Sequence, residues 1–254
     1  MRDWHGVTRN EHCADLEPAR LLLRQARSVA VLTGAGISAE SGVPTFRGAG
    51  GLWKQFRAED LATPQAFERD PRACWEWYDW RRGILAKVRP NPGHYALADW
   101  ERRIPQFTLI TQNVDGLHAE AGNRSVLEIH GSIWILRCIA CGREWKDRTF
   151  PLDLLPRCGA CGGLARPGVV WFGENLNPEI WAAAERAVRS ADVFLVVGTS
   201  AQVYPAASLA PLARSAGVRI VELNLEPTPL SGFVDLALAG RSGEILPRLL
   251  LPST

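Results

Sequence analysis

Short runs of apolar and β-branched residues alternate along the chain with segments whose apolar positions recur at helical spacing. Each run ends in small, polar, turn-forming residues, as buried parallel strands do, and the runs cover residues 29–33, 107–111, 126–129, 193–197 and 218–223. Helices are predicted over residues 178–190 and 205–216. The alternation predicts an open parallel α/β sheet, in which ligands bind beyond the carboxyl ends of the strands.

A compositional break interrupts this pattern. Between residues 137 and 166, Cys, Gly, Arg and Pro gather without a long apolar run, which predicts a small inserted module. The larger domain is then formed by residues 1–136 and 167–254 together.

The predicted module contains two Cys-x-x-Cys pairs. Cys138, Cys141, Cys158 and Cys161 supply four thiolates, which is the ligand set of a tetrahedral zinc ion. Because thiolate in all four positions leaves no place for water, the prediction is one structural Zn²⁺ rather than a catalytic metal. A redox dithiol needs only one pair, and two disulfides are disfavoured in a chain without an export signal.

The composition is that of an ordinary globular protein and narrows the choice of partners. The 254 residues are 46% hydrophobic and 22% charged, with a formal net charge of +2 and no basic stripe, which argues against nucleic acid as the main partner. No apolar run reaches the roughly 20 residues that cross a bilayer, and the first 20 residues lack a signal-peptide core. A cytoplasmic protein without a membrane partner is predicted. The oligomeric state stays open, and a monomer is compatible with the sequence.

A glycine-rich turn follows the first predicted strand. In Gly34-Ala35-Gly36, backbone N–H groups can approach a pyrophosphate, although a tight strand-to-helix connection needs the same residues. Hydride-transfer dinucleotide enzymes place a second strand with an acidic residue about 20 positions further on. Residues 41–56 read as a loop instead, which disfavours that class of enzyme.

The glycine-rich turn is one of several segments that together resemble a known protein family. They are residues 34–48, 111–118, 130–132, the two cysteine pairs, 169–174, 198–200 and 224–226, in this order. With these segments the chain resembles the sirtuins from about Leu21 onward. The resemblance implies a Rossmann-like NAD-binding domain, a small zinc domain and an acyl-lysine tunnel between them, partly formed by a helical insertion around residues 50–90.

The resemblance also implies a reaction, the NAD-dependent deacylation of lysine in proteins or peptides. The acyl oxygen attacks the anomeric carbon of the nicotinamide ribose and nicotinamide leaves. The general base, His130, then activates the ribose so that its 2′ oxygen attacks the imidate carbon, which yields free lysine and 2′-O-acyl-ADP-ribose. An imidazole with a near-neutral pKa suits this proton transfer.

Further site residues follow from the same resemblance. Asn113 and Asp115 are implied beside His130 in the catalytic pocket. The implied NAD contacts are Gly34, Ala35, Gly36, Ser38, Phe46, Arg47, Trp53, Gln112, Asn113, Asp115, Gly198, Thr199, Ser200, Asn224, Leu225, Glu226 and Ser242. The segment of residues 169–174 is implied to add its extended backbone to the substrate peptide as a strand, through Val170, Phe172, Gly173 and Glu174.

A Tyr-x-x-Arg sequence on a predicted helix addresses the acyl group. Tyr78 and Arg81 share one helix face, and an Arg fork beside a phenol can receive a carboxylate, although this spacing is also common for solvated surface pairs. The sequence resembles that of class III sirtuins, which remove succinyl, malonyl and glutaryl groups. Ala62 resembles the small residue that widens their acyl pocket. The implied substrate therefore carries an acidic acyl group, with acetyl also accepted.

Three other functions are compatible with parts of the sequence. Mono-ADP-ribosyl transfer uses the same displacement of nicotinamide but delivers the ribose to a protein nucleophile. A non-catalytic module that binds NAD or acyl-lysine is disfavoured by the intact segments 112–115 and 130–132. A zinc-ribbon nucleic-acid binder is disfavoured by the near-neutral charge. His94 and His118 have no motif context and are expected to be surface or packing residues.

Overall fold

The structure, a computed structural model, describes residues 16–46, 51–52 and 57–250. Arg47 and Trp53, two of the predicted NAD contacts, lie outside the described residues. The helices are α1 Glu17–Gln25, α2 Ala35–Ala39, α3 Ala58–Leu61, α4 Pro64–Arg69, α5 Pro71–Leu85, α6 Pro92–Glu101, α7 Leu117–Ala121, α8 Pro178–Ser190, α9 Leu209–Ser215 and α10 Ser242–Leu250. The strands are β1 Ser28–Thr33, β2 Gln106–Thr111, β3 Val126–Glu128, β4 Gly131–Cys138, β5 Glu144–Lys146, β6 Ala165–Val169, β7 Val193–Val197, β8 Arg219–Asn224 and β9 Leu236–Ala239.

Six of these strands form one parallel sheet in the order β3-β2-β1-β7-β8-β9. The predicted open parallel α/β sheet is therefore confirmed, and each of the five predicted strands is part of it. The sixth strand, β9, was not predicted, because its four residues at the sheet edge are only partly buried and lack a long apolar run. The predicted helix over residues 205–216 is divided into a 3₁₀ turn, Ala206–Ser208, and α9.

Both faces of the sheet are covered, which explains why its central strands are continuously apolar. Along β1, Val29 and Val31 pack on one side with α1, α6 and α10, whereas Ala30 and Leu32 pack on the other side with α8 and α9. Side chains of a strand alternate between its faces, so a strand buried on both sides shows no polar period. At the start of α8, Asn177 accepts hydrogen bonds from two backbone amides, a cap that stabilises a helix by about 1 kcal/mol.

Strand order reverses between β1 and β7, and this reversal opens the crevice in which the site lies. The chain passes from β1 to β2 and β3 on one side of the sheet, and from β7 to β8 and β9 on the other. The loops after β1 and β7 therefore leave in opposite directions from neighbouring strand ends, at Thr33 and Val197. In open α/β sheets, this switch point is where ligands bind.

A second, antiparallel sheet of three strands, in the order β5-β4-β6, carries the cysteine pairs. It begins at Gly131 and ends at Val169, so it extends on both sides of the predicted module of residues 137–166. The compositional break marks only the cysteine-rich end of this sheet, because β4 contains the apolar run of residues 133–136 before it reaches the first cysteine.

Helices α3, α4 and α5 pack against this second sheet. They lie within the segment around residues 50–90, where the resemblance implied a helical insertion. Their core includes Trp75, Tyr78, Ile133 and Trp171, and the Trp75 indole N–H donates to the backbone oxygen of Ala165 at 2.9 Å. In the described part of the chain, no helix is long and apolar enough to cross a membrane.

Candidate active site

A cavity of about 750 Å³ opens at the carboxyl ends of β1 and β7, between the large sheet and helix α5. The predicted NAD contacts that line it are Gly34, Ala35, Gly36, Phe46, Gln112, Asn113, Gly198, Thr199, Ser200, Asn224, Leu225, Glu226 and Ser242. The predicted base and substrate residues that line it are His130, Ala62, Tyr78, Arg81, Val170, Phe172, Gly173 and Glu174. The tertiary structure thus brings together residues that lie far apart in the sequence.

Glycines allow the loops after β1 and β7 to touch at the floor of the cavity. The Gly36 amide donates to the backbone oxygen of Gly198 at 2.8 Å, and the Gly34 amide donates to that of Val197 at 3.0 Å. A Cβ atom on Gly36 would lie 2.7 Å from the Cα atom of Gly198, which is closer than two carbons can pack. Gly198 itself has a φ of +59°, in the left-handed region that favours glycine. The floor therefore presents bare backbone to a ligand.

His130 stands at the end of β3 with a defined tautomer. Its Nδ1 atom lies 3.0 Å from the backbone oxygen of Gln112, and because a carbonyl only accepts, Nδ1 carries the proton. The Nε2 atom then holds the lone pair. Burial lowers the pKa of His130 against the opposing effect of this hydrogen bond, so the ring is neutral at pH 7. The geometry is that of a ready proton acceptor.

The side chains of Asn113 and Gln112 form hydrogen bonds with the loops at the cavity floor. The Asn113 side-chain amide donates to the backbone oxygen of Gly34 at 3.0 Å, and the Gln112 amide donates to Thr199 Oγ1 at 2.8 Å. These contacts connect the end of β2 to the loops after β1 and β7. Both side chains are therefore fixed before any ligand enters, which limits the conformational entropy that binding costs.

Ser38 and Asp115, predicted to contact NAD, lie behind the residues that line the cavity. The Ser38 hydroxyl donates to Asp115 Oδ2 at 2.8 Å and accepts from the Asn113 amide at 3.2 Å. Asp115 Oδ1 accepts from the amide of Leu117 at 2.9 Å. Burial raises the pKa of Asp115, although the hydrogen bonds from Leu117 and Ser38 oppose that effect. Because these partners hold both side chains inside, the structure supports a positioning role for the pair.

A histidine that the sequence left as a surface or packing residue continues this buried network. His94 is fully buried, and its Nδ1 atom accepts from the backbone amide of Asn91 at 3.3 Å, so the ring proton is on Nε2, which faces Ser38 Oγ at 3.4 Å. Asn91 caps α6 and donates to the backbone oxygen of Ile37 at 2.7 Å. The Asn-Pro pair at the start of α6 could have predicted the helix cap from the sequence. No nearby residue indicated that the Asn91 side chain also contacts α2.

His118 lies beside His94, with ring centroids 4.8 Å apart. Its Nε2 atom is 3.0 Å from Thr33 Oγ1, which in turn donates to Thr111 Oγ1 at 2.8 Å. Burial lowers the pKa of His94 to about 4 and that of His118 well below its ordinary value. Both rings are therefore neutral packing residues beneath the cavity.

The far end of the cavity is built around the loop after β8. The Asn224 side chain donates to the backbone oxygen of Thr199 at 3.3 Å. Glu222, which is buried within β8, accepts hydrogen bonds from the hydroxyls of Thr228 and Ser231. These bonds fix the loop that carries Leu225 and Glu226 against the sheet. Sequence reasoning missed Glu222, because one carboxylate in an apolar strand gives no local sign of its partners.

Helix α5 closes the opposite end with Tyr78 and Arg81. The Tyr78 hydroxyl accepts from the Trp171 indole N–H at 2.8 Å, and burial raises the pKa of Tyr78 to about 12. The Arg81 guanidinium lies over the rings of Phe46 and Trp77, at 4.8 and 4.9 Å from their centroids. Across the described ranges, Arg81 forms neither a hydrogen bond nor an ion pair. A guanidinium with no direct ion-pair partner among the described residues therefore lines the cavity, and the more distant charge of Asp115 acts on it.

The segment of residues 169–174 is shorter as an extended strand than the sequence predicted. Strand β6 ends at Val169, and Phe172 and Gly173 form a turn in which Gly173 has a φ of +86°. The amide of Val170 already donates to the backbone oxygen of His130 at 2.9 Å, and that of Phe172 donates to Ala62 at 3.0 Å. The Glu174 amide closes the turn by donating to the backbone oxygen of Trp171 at 3.0 Å, and the Glu174 carboxylate accepts from the amide of Trp171 at 2.8 Å.

The four cysteines form a compact cluster at the tip of the second sheet. Their sulfur atoms all lie within 4.8 Å of one another, with Cys138 and Cys161 at 3.5 Å and Cys141 and Cys158 at 3.8 Å. Zn–S bonds of about 2.3 Å in a tetrahedron place the sulfurs roughly 3.8 Å apart, so the cluster fits one zinc ion. The Cys141 amide lowers the pKa of the Cys138 thiol to about 7. At Cys161 the hydrogen bond of the Gly163 amide is outweighed by those of the other three thiols, which raise the pKa to about 12.

Comparisons with known proteins agree with this geometry. A model of the Sir2 family matches residues 34–205. NAD-dependent protein deacylase 2 of Pyrobaculum aerophilum is 53% identical, over 90% of this chain and 92% of that protein. The mitochondrial NAD-dependent protein deacylase sirtuin-5 of Danio rerio is 43% identical, over 96% of this chain and 89% of that protein. A solved Sir2 homolog–NAD complex is 44% identical, with a TM-score of 0.88 over 96% of this chain and 95% of that chain.

The match extends over the glycine turn, the His130 strand end and both cysteine pairs, and similar proteins cover nearly the whole chain. It therefore includes the parts of the cavity floor that fit a dinucleotide and the thiol cluster that fits zinc. The chain belongs to the Sir2 family, whose relatives named above are NAD-dependent protein deacylases.

Proposed function

We propose that this protein is an NAD-dependent deacylase that removes succinyl, malonyl or related acidic acyl groups from lysine in proteins or peptides, with acetyl also accepted. The observation that carries the acidic preference is the Arg81 guanidinium, which faces the cavity beside the Tyr78 hydroxyl. No carboxylate of the described residues forms an ion pair or a hydrogen bond with it, and Asp115 acts on it only from a distance. The kinship with a sirtuin-5 of Danio rerio is consistent with the proposal.

The surroundings of Arg81 favour a ligand carboxylate. Burial lowers the pKa of Arg81, which means that its charge is poorly solvated where it stands. The rings of Phe46, Trp77 and Tyr78 hold the guanidinium by cation–π contact and leave its N–H groups free for a planar acceptor. A carboxylate of the substrate would form the direct ion pair that no described residue forms with Arg81. Ala62, with its small side chain on the same cavity, leaves room for the acyl chain.

In the proposed arrangement, NAD lies over the glycine loops at the cavity floor, and the acyl-lysine lies between α5 and residues 169–174. Gln112 and Asn113 then orient the nicotinamide ribose, and His130 Nε2 accepts the proton from the ribose hydroxyl. The neutral state of His130 at pH 7 supports this role, since a protonated ring could not act as a base. Phe46 lines the cavity next to Arg81 and would shield the reacting ribose from water.

The test compares matched succinyl-lysine and acetyl-lysine peptides, each with and without NAD. Replacing Arg81→Met is expected to lower kcat/KM for the succinyl peptide by about 10- to 100-fold, the value of a charge-assisted hydrogen bond. Activity on the acetyl peptide, which lacks the carboxylate, should fall far less. Arg72→Met is the matched control, because Arg72 lies on the same helix but is exposed and paired with Glu76.

Two results would contradict the proposal. If the wild-type protein removes acetyl but not succinyl, or if Arg81→Met lowers both activities equally, the carboxylate receptor is wrong while deacylation stands. If neither peptide loses its acyl group and labelled NAD leaves its label on protein, the activity is mono-ADP-ribosyl transfer instead.

A further inference from the structure

Trp171 connects the acyl end of the cavity to the backbone of residues 169–174. Its indole N–H donates to the Tyr78 hydroxyl oxygen at 2.8 Å, and the indole is buried. Tyr78 belongs to α5 and Trp171 to the turn after β6, so this bond joins the two walls of the acyl pocket through side chains at the cavity.

The chemistry of the two side chains fixes the direction of this bond. An indole N–H can only donate, whereas a phenol can donate one proton and accept through two lone pairs. The Tyr78 oxygen is therefore the acceptor from Trp171, and its own proton is left over. That proton has no acceptor among the residues that the structure describes. The phenol also stays protonated at neutral pH, because burial raises its pKa to about 12.

Trp171 itself is held from several sides. The Arg166 guanidinium lies over its ring at 3.3 Å from the centroid, and Phe67 packs against it at 5.3 Å. Arg166 Nη2 donates to Glu174 Oε2 at 2.8 Å, and the same carboxylate oxygen accepts from the backbone amide of Trp171 at 2.8 Å. Arg166, Glu174 and the Trp171 backbone thus form a closed unit, and the indole N–H has a fixed direction toward Tyr78.

We propose that Trp171 is a positioning residue for acyl selectivity: its N–H occupies a lone pair of the Tyr78 hydroxyl and thereby directs the hydroxyl proton toward the carboxylate of an acidic acyl group. Arg81 and Tyr78 would then present two donors to that carboxylate at once. This inference rests on the proposed acidic-acyl activity and adds to it a residue outside the Tyr-x-x-Arg sequence.

The experiment is a double-mutant cycle between Trp171→Phe and Tyr78→Phe. Each variant removes one polar group and keeps an aromatic ring, and the measured quantity is the ratio of kcat/KM for succinyl and acetyl peptides. If Trp171 acts through Tyr78, Trp171→Phe lowers this ratio about 3- to 10-fold in the wild-type background, mainly through KM for the succinyl peptide. In the Tyr78→Phe background the same change has no further effect on the ratio.

Three outcomes decide the inference. An unchanged ratio in Trp171→Phe overturns it, and so do effects of the two substitutions that multiply independently. A wild-type protein without succinyl activity overturns the proposed function first, and this inference with it. If Trp171→Phe does not fold, β-(3-benzothienyl)alanine at position 171 makes the same test, because it keeps the bicyclic shape and replaces the N–H by sulfur.

Discussion

The zinc cluster and the floor of the cavity are two sites of opposite construction. The four sulfur ligands come from two short, repeated turns, and two of them, Cys141 and Cys161, are solvent-exposed. The cavity floor instead rests on a buried polar network in which His94, Ser38 and Asn113, from separate parts of the chain, are joined by side-chain hydrogen bonds. The first site is organised by the metal that it binds, and the second by the protein around it.

Because the two sites are built differently, different changes are expected to destabilise them. A thiolate cluster with little core around it depends on the binding free energy of zinc, which stabilises the fold of such modules directly. A buried polar network depends on complete hydrogen bonding, because each unsatisfied buried group costs about 1–3 kcal/mol. Loss of a ligand should therefore unfold the first site, whereas changes of packing or protonation should weaken the second.

The largest expected effect is on the zinc cluster. Cys158→Ala removes one of four ligands, and we expect loss of the bound zinc and a fall in deacylase activity of at least about 100-fold. Activity falls because β4 runs directly from His130 to Cys138, so disorder at the cluster reaches the base. Metal analysis and peptide assays measure both. Cys74→Ala, a buried thiol away from the cluster, is the control and should retain zinc. Full zinc content in Cys158→Ala would contradict the four-thiolate site.

The next effect is a loss of stability in acid that is specific to the buried network. The pKa of His94 is about 4 in the folded protein and about 6.5 when exposed, so the unfolded chain binds more protons between these values. The free energy of unfolding should fall as the pH drops from 6.5 to 4, by about 3 kcal/mol from His94.

Urea unfolding at several pH values measures this effect. His94→Gln has no titrating ring and should lose less stability than the wild type as the pH falls. Tyr95→Phe, an exposed neighbour on α6, is the matched control and should follow the wild type. Equal slopes for His94→Gln and the wild type would show that other groups account for the loss.

The smallest expected effect concerns the contact between the two glycine loops. A Cβ atom at position 36 would lie 2.7 Å from Gly198, so Gly36→Ala should force the loops apart. We expect it to lower the free energy of unfolding by about 1–3 kcal/mol and to raise KM for NAD. Gly232→Ala is the control, because nothing lies within 4 Å of its added Cβ atom. An unchanged KM for NAD would show that the contact between Gly36 and Gly198 does not contribute to NAD binding.

The sequence indicated most of the sheet and many lining residues of the cavity, for identifiable reasons. Strands buried on both faces are continuously apolar, so residues 193–197 were readable without knowledge of their neighbours. The edge strand β9 was not, because it is half-exposed and its short sequence has no distinctive period. The turn at Phe172 and Gly173 was also missed, since no local pattern indicated that the backbone and carboxylate of Glu174 both bond to the backbone of Trp171.

The sequence by itself determined the ligands of the zinc cluster, the strands that place the loops, and the family to which the chain belongs. These properties reside in short segments of the chain, which can be read without knowing which residues lie nearby in space. Only the tertiary structure decided that Ser38 and Asp115 lie behind the cavity, that His94 supports them, and that Trp171 reaches Tyr78. Such contacts join residues distant in the chain, and their hydrogen-bond directions depend on burial, which no local pattern of residues records.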